Sequence, residues 1–205
     1  NEVNNFLWVF NLVQNDEVNA FCMPGGKIVV YTGLLPVTKN ETALAIVLGH
    51  EIAHAVAKHS AEQMSKQYRQ QVATSIGGAV LNQVSAGAGD VASNIASTAF
   101  SFANAKYSRA NESEADHMGL IFAAMAGYDP NEAVTFWTRM ANANSGSQQA
   151  GLQSWLSDHP SDEKRVRDIK GWLPEALKYY HPSTTKTTTK TTTTKTGKGK
   201  TKRRR

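Results

Sequence analysis

The sequence predicts an α+β fold, mainly α-helical with a small N-terminal β-sheet, on three observations. Runs rich in β-branched and aromatic residues are concentrated before residue 32. From about residue 39 the apolar residues recur with helical spacing, and glycine and proline clusters punctuate the chain at 24–26, 33–36 and 127–130. A length of 205 residues, 40% of them hydrophobic and 19% charged, suffices for one domain with a core, expected over residues 1–181.

Leu7-Trp8-Val9-Phe10-Asn11-Leu12-Val13 reads as a strand that stops at Gln14-Asn15-Asp16, and a second short strand is expected from Val18 to Cys22. Met23-Pro24-Gly25-Gly26 is turn chemistry, after which Lys27-Ile28-Val29-Val30-Tyr31 forms a third strand. Thr38 and Glu41 match a capping box, so a helix should begin near residue 39.

That helix carries His50-Glu51-Ile52-Ala53-His54. Residues four apart on a helix differ by about 40° of rotation and one turn of rise, so both imidazoles can address one ion. Glu51 adjoins the first histidine, where its carboxylate can reach a water at the ion without binding the ion, the place of a general base. The surrounding run, Leu44, Ile46, Val47, Leu48, Ile52, Ala53 and Val56, is apolar. Three titratable groups there would each cost free energy unless paired or metal-bound. His59 lies nine residues beyond His50, about 180° around a continuous helix, and is expected to face away as a solvated or capping residue. A metzincin pattern would need Gly at Ala57 and His at Ser60, and has neither.

Residues 61–105 are rich in alanine, serine and glutamine and are expected to form two helices joined by a glycine-rich loop near 85–90. The segment Tyr107 to Leu120 supplies acids on a further helix. Glu112 and Asp116 share a face, whereas Glu114, about 200° from Glu112, points elsewhere. Glu112 is thereby a candidate third ligand, against the alternative of an acidic helix face pairing with Lys106 and Arg109. Asp116, one turn on, can accept a hydrogen bond from the outer nitrogen of a ligating histidine. The helix should break at Gly127-Tyr128-Asp129-Pro130 and resume with Ala133, Phe136, Trp137 and Met140 facing the core. Asn142 to Gln149 reads as a polar loop, and the stretch from Trp155 through His159-Pro160 as a second loop, before a helix whose start is marked by Ser161 and Asp162.

From Pro182 onward the chain is Thr/Lys repeats with nine of the 22 Lys/Arg and none of the 17 Asp/Glu. Residues 182–205 are therefore expected to be a disordered basic tail, and residues 1–181 carry 13 bases against 17 acids, a formal charge of −4. The tail attracts polyanions non-specifically; without interleaved aromatics, no specific nucleic-acid binding is expected. No apolar run approaches the length of a membrane span. The single cysteine, Cys22, excludes an intrachain disulfide and reads as a buried strand thiol. The chain opens on Asn without a signal-like segment, so any targeting segment or anchor is expected upstream of residue 1.

In this order, Asn19-Ala20-Phe21, Pro24-Gly25-Gly26, Thr32-Gly33-Leu34-Leu35, His50-Glu51-x-x-His54, Ser108-Arg109-x-x-Glu112-x-x-Ala115-Asp116 and His159-Pro160 resemble a gluzincin family. It is the zinc metallopeptidase family of HtpX, Oma-type and CAAX prenyl endopeptidases, in its soluble or peripheral bacterial branch, and the resemblance spans about residues 5–170. The resemblance implies one Zn²⁺ per chain held by His50, His54 and Glu112, with Glu51 as catalytic base. It also implies that the strand with Asn19, Ala20 and Phe21 borders the cleft and pairs with extended polypeptide substrates. His159 can then approach the open metal position, as an oxyanion donor or as a gate, with Arg165 able to orient it; the alternative is a purely structural loop histidine. The function implied is an endopeptidase for misfolded or extended proteins in a bacterial cell envelope, with peripheral contact to a membrane or an outer-membrane protein. Two other readings stay open: a gated zinc-containing binding or chaperone-like module that cleaves little, and polyanion binding through the basic tail.

Overall fold

Three strands form one sheet in the order β1-β3-β2 in the computed structural model, which describes residues 6–66, 69, 106–144, 150–159 and 163–182. β1 (Val9–Val13) runs parallel to the central β3 (Lys27–Tyr31), and β2 (Ala20–Met23) runs antiparallel to it. Gly25 and Gly26 hold φ of 84° and 88°, a left-handed backbone that glycine adopts without cost, and so close the hairpin between β2 and β3. Ala20, Cys22, Ile28 and Val30 point from one face into the core. Phe10 and Leu12 pair with Ile28 and Val30, yet every residue of β1 is exposed.

After the turn at α1 (Leu35–Thr38), Lys39 takes a left-handed φ of 68° and the long helix α2 (Glu41–Val56) begins. Its cap is Asn40, whose side-chain oxygen accepts from the Ala43 amide at 2.7 Å, and not the expected Thr38. The Thr38 hydroxyl donates to the Leu35 carbonyl at 3.1 Å and is thereby committed to α1. A helical stretch resumes over 59–66. The expected helices of 61–105 otherwise lie outside the described residues, as does the tail from 183.

α3 (Arg109–Met125), capped by Ser108, crosses α2 at two glycines. A Cβ on Gly49 would lie 2.5 Å from the Gly119 carbonyl oxygen, and one on Gly119 would lie 2.6 Å from the His50 nitrogen. The two helices that carry the candidate site thus touch backbone to backbone. The expected break follows, and α4 (Asn131–Asn144) buries Ala133, Phe136, Trp137 and Met140 as the spacing predicts. α4 extends to Asn144, into the expected polar loop, whose residues 145–149 lie outside the described ones.

α5 (Ala150–Asp158) makes the segment before His159 helical, where a loop is expected. Leu152, Trp155 and Leu156 recur at three- and four-residue spacing and are all buried, which seats that helix on the core. Trp155 stacks on Trp137 with ring centroids 5.5 Å apart. α6 (Glu163–Ala176) follows, with Pro160, Ser161 and Asp162 outside the described residues. The fold is α+β and mainly helical, as the sequence predicts.

Candidate metal centre

α2 brings His50, Glu51 and His54 inside, where they are 3%, 2% and 0% exposed. Nε2 of His50 and Nε2 of His54 lie 3.0 Å apart, the i,i+4 pair aimed at one point. α3 adds Glu112, whose Oε1 is 3.2 Å from His54 Nε2 and whose Oε2 is 3.5 Å from His50 Nε2. His159, at the end of α5, places Nδ1 3.2 Å from His50 Nε2 and 3.3 Å from Glu112 Oε2.

These separations test whether a metal fits. Bonds of about 2.0–2.2 Å at tetrahedral angles put neighbouring donors about 3.3–3.6 Å apart, close to the spacing found. Donor atoms of His50, His54, Glu112 and His159 all lie within 4.8 Å of one another, and all four residues are buried. Oε1 of Glu51 and Oε1 of Glu112 are buried and accept no hydrogen bond from the protein, an arrangement too costly to leave uncompensated. Two imidazoles and a carboxylate suit Zn²⁺.

The charge states suit it too. Burial, helped by His50, pushes the His54 pKa down to about 3, so the ring is neutral and its lone pair is free. Burial alone would raise the Glu112 carboxyl, but His159 and His50 beside it hold it far below the usual carboxylate range. Glu51 goes the other way: burial raises it, against the pull of His159 and His50 and a hydrogen bond from the Cys22 backbone. A carboxylate with a raised pKa is a stronger base.

The two histidine rings are held from outside. His50 Nδ1 meets Asp116 Oδ1 at 2.9 Å, as the spacing of Glu112 and Asp116 predicts. Arg165 donates to that same Oδ1 at 2.6 Å, lies 3.4 Å from Glu112 Oε2, and packs 3.3 Å over the Trp137 ring. Arg165 thus stands against the two carboxylates.

His59 overturns its expectation. It is buried, and its Nδ1 lies 2.9 Å from Nδ1 of His54. The helical wheel assumes a helix continuing past Ala57, but Lys58 takes a φ of 62° and redirects the chain. Tyr107 stacks on His54 at 4.0 Å, and its hydroxyl meets Ser60 Oγ, which donates to the Cys22 carbonyl. Sequence reading passes over Tyr107 and Ser60 because both act through folded contacts.

Asn19, Ala20 and Phe21 lie buried on or beside β2, the edge strand nearest Glu51. Asn19 accepts from the Tyr31 amide and Met23 from the Gly26 amide, so alternation turns the backbone groups of Ala20 and Cys22 to the outer rim. His159 Nε2 lies 3.8 Å from Glu51 Oε1, which brings the two side chains together.

An HExxH helix with a glutamate from a second helix, all within reach of one ion, defines a gluzincin-type metal centre. The chain belongs to peptidase family M48, which it matches over residues 2–173. It is 38% identical over 170 residues to the mitochondrial metalloendopeptidase OMA1 of Schizosaccharomyces pombe, covering 82% of this chain and 48% of that protein. To OMA1 of Saccharomyces cerevisiae it is 36% identical over 180 residues, 86% of this chain and 50% of the relative. A putative beta-barrel assembly-enhancing protease of Vibrio cholerae is 32% identical over 178 residues, 85% of this chain and 36% of the relative. The chain therefore spans half or less of the length of these relatives.

Proposed function

We propose that the chain is the catalytic unit of a zinc metalloendopeptidase, formed by residues 1–181, that hydrolyses peptide bonds of misfolded or extended proteins. The observation that carries this reading is the buried cluster of His50, His54 and Glu112 with Glu51 beside it. His50, His54 and Glu112 would hold the zinc ion, which supplies a Lewis acid for the scissile carbonyl and for the attacking water. Glu51 takes the water proton at its carboxylate and later delivers it to the leaving amine. Ala20, with Asn19 and Phe21 beside it, offers an outward-facing backbone to which an extended substrate can add as a strand. The Cys22 carbonyl already accepts from Ser60, so pairing centres on Ala20.

The position of His159 favours a second state of the same site. Its Nδ1 stands among the ligand atoms, where it would close the fourth position and gate the enzyme. This is the point at which a binding module that cleaves little would differ from a working peptidase. Beta-barrel assembly-enhancing relatives in Vibrio cholerae and Yersinia pestis support a place in a bacterial envelope, near membrane or outer-membrane proteins. Among the described residues, no helix is long and apolar enough to cross a membrane. The names of the OMA1 relatives point to mitochondria, and fractionation of the source cells decides between the two.

Casein digestion with zinc content measured in parallel tests the reading. One zinc per chain, cleavage lost with a chelator and restored by zinc is the expected result. Glu51→Gln should keep its zinc and lose about 10²–10⁴-fold in turnover; undiminished turnover would remove Glu51 from the mechanism. His159→Ala separates the two states: a rise in turnover marks a gate, and a fall marks a group that acts on the substrate.

A further inference from the structure

The assigned ligands leave unexplained why a lysine is held in a left-handed backbone two residues after α2 ends. Lys58 has φ 62°, in the left-handed region that residues with a Cβ rarely adopt. Local hydrogen bonds lock the bend: the Ala57 amide donates to Ala53 at 2.8 Å and the Lys58 amide to Ala55 at 3.1 Å. The Lys58 carbonyl then accepts from Glu62 at 2.9 Å and starts the next helical stretch. What the bend accomplishes is to fold His59 back under the site, 5% exposed, with Nδ1 2.9 Å from His54 Nδ1. The other nitrogen of His59 lies 3.4 Å from Oε2 of Glu114, the carboxylate on the opposite side of α3 from Glu112.

The proton positions follow from the chemistry. To bind a metal through Nε2, His54 must carry its proton on Nδ1. That proton can be donated only to an unprotonated Nδ1 on His59, so His59 carries its own proton on Nε2, facing Glu114. The two ligand histidines then have matching support: His50 donates to Asp116, and His54 donates through His59 to Glu114.

We infer that His59, backed by Glu114, is a positioning residue that fixes the tautomer and orientation of His54 and so tightens the metal site. This rests on the assignment of His54 as a ligand. Its test is Zn²⁺ affinity, by competition with a fluorescent chelator, for the full chain and its His54→Ala, His59→Ala, His59→Asn and Glu114→Gln variants, with the melting of each metal-free form. His59→Ala should bind zinc about 10- to 100-fold more weakly while its metal-free form melts near the parent. His59→Asn, whose short amide can place an acceptor near the lost Nδ1, should recover most of that loss. Wild-type affinity in His59→Ala overturns the inference, as does an affinity loss that tracks lost melting and is not recovered by asparagine. Should His59→Ala not fold, Glu114→Gln decides, since the Glu114 side chain is 59% exposed. A several-fold weaker site with unchanged melting supports the inference, and unchanged affinity overturns it. Zinc absent from the parent, or kept by His54→Ala, would instead sink the ligand assignment, a distinguishable failure.

Discussion

Asp116 sits where water does not reach, accepting from His50 and Arg165 at once, and the sign of its contribution to stability follows from that. Burial alone would raise its pKa, but Arg165 and His50 bring it below the ordinary value. A carboxyl whose pKa is lower folded than unfolded adds stability that is complete above the unfolded value and is lost as pH falls through the folded one. Metal-free Asp116→Asn should therefore be about 1–3 kcal/mol less stable near pH 7, because Arg165 loses one of its two buried counter-charges and keeps only Glu112. Its stability should also fall less between pH 5 and acid than the parent's. Denaturant midpoints across that range check both. The same buried surroundings push the Cys22 thiol up to about 12, chiefly by desolvation and then by Glu51, which makes it inert at neutral pH. At this scale the pairing of His50 with His54 and of Glu112 with Asp116 was legible because i,i+4 geometry is local, whereas the meeting of the two pairs was implied only by the resemblance. His59 was not, since a lysine gives no sign that it will adopt the backbone glycine favours.

Helix α2 and helix α3 meet at Gly49 and Gly119 with no room for a methyl group, and that contact sets how far Glu112 and Asp116 stand from His50. Gly119→Ala should cost about 1–3 kcal/mol, because the atoms in the way are backbone and cannot swing aside. It should also weaken zinc binding, since the acids ride on the helix that must retreat; thermal unfolding and chelator competition on one preparation measure the pair. The sequence marked all three strands and the starts of α2, α3, α4 and α6 to within two or three residues, but neither α1 nor α5. It did not mark that β3 takes the centre with β1 parallel to it, because strand order is settled by what each strand packs on and not by its own composition. The start of α2 failed for a smaller reason: two residues able to cap it, Thr38 and Asn40, stand close together, and the left-handed Lys39 between them selects the second.

For the whole molecule, charge is divided along the chain, with a mildly acidic body and a tail holding nine bases and no acid. Removing residues 183–205 should leave zinc content, melting and casein cleavage unchanged while lowering the salt needed to elute the protein from heparin; lost cleavage would tie the tail to the chemistry. The three-stranded sheet divides its labour as well. Its β2 rim is joined to Glu51 and to Ser60, whereas its β1 rim displays Val9, Phe10, Leu12 and Val13 to the outside. An open apolar edge strand invites other chains to pair with it. Leu12→Lys, on the far side of β3 from the chemistry, should therefore raise the concentration at which the protein stays monomeric in light scattering while leaving casein turnover unchanged.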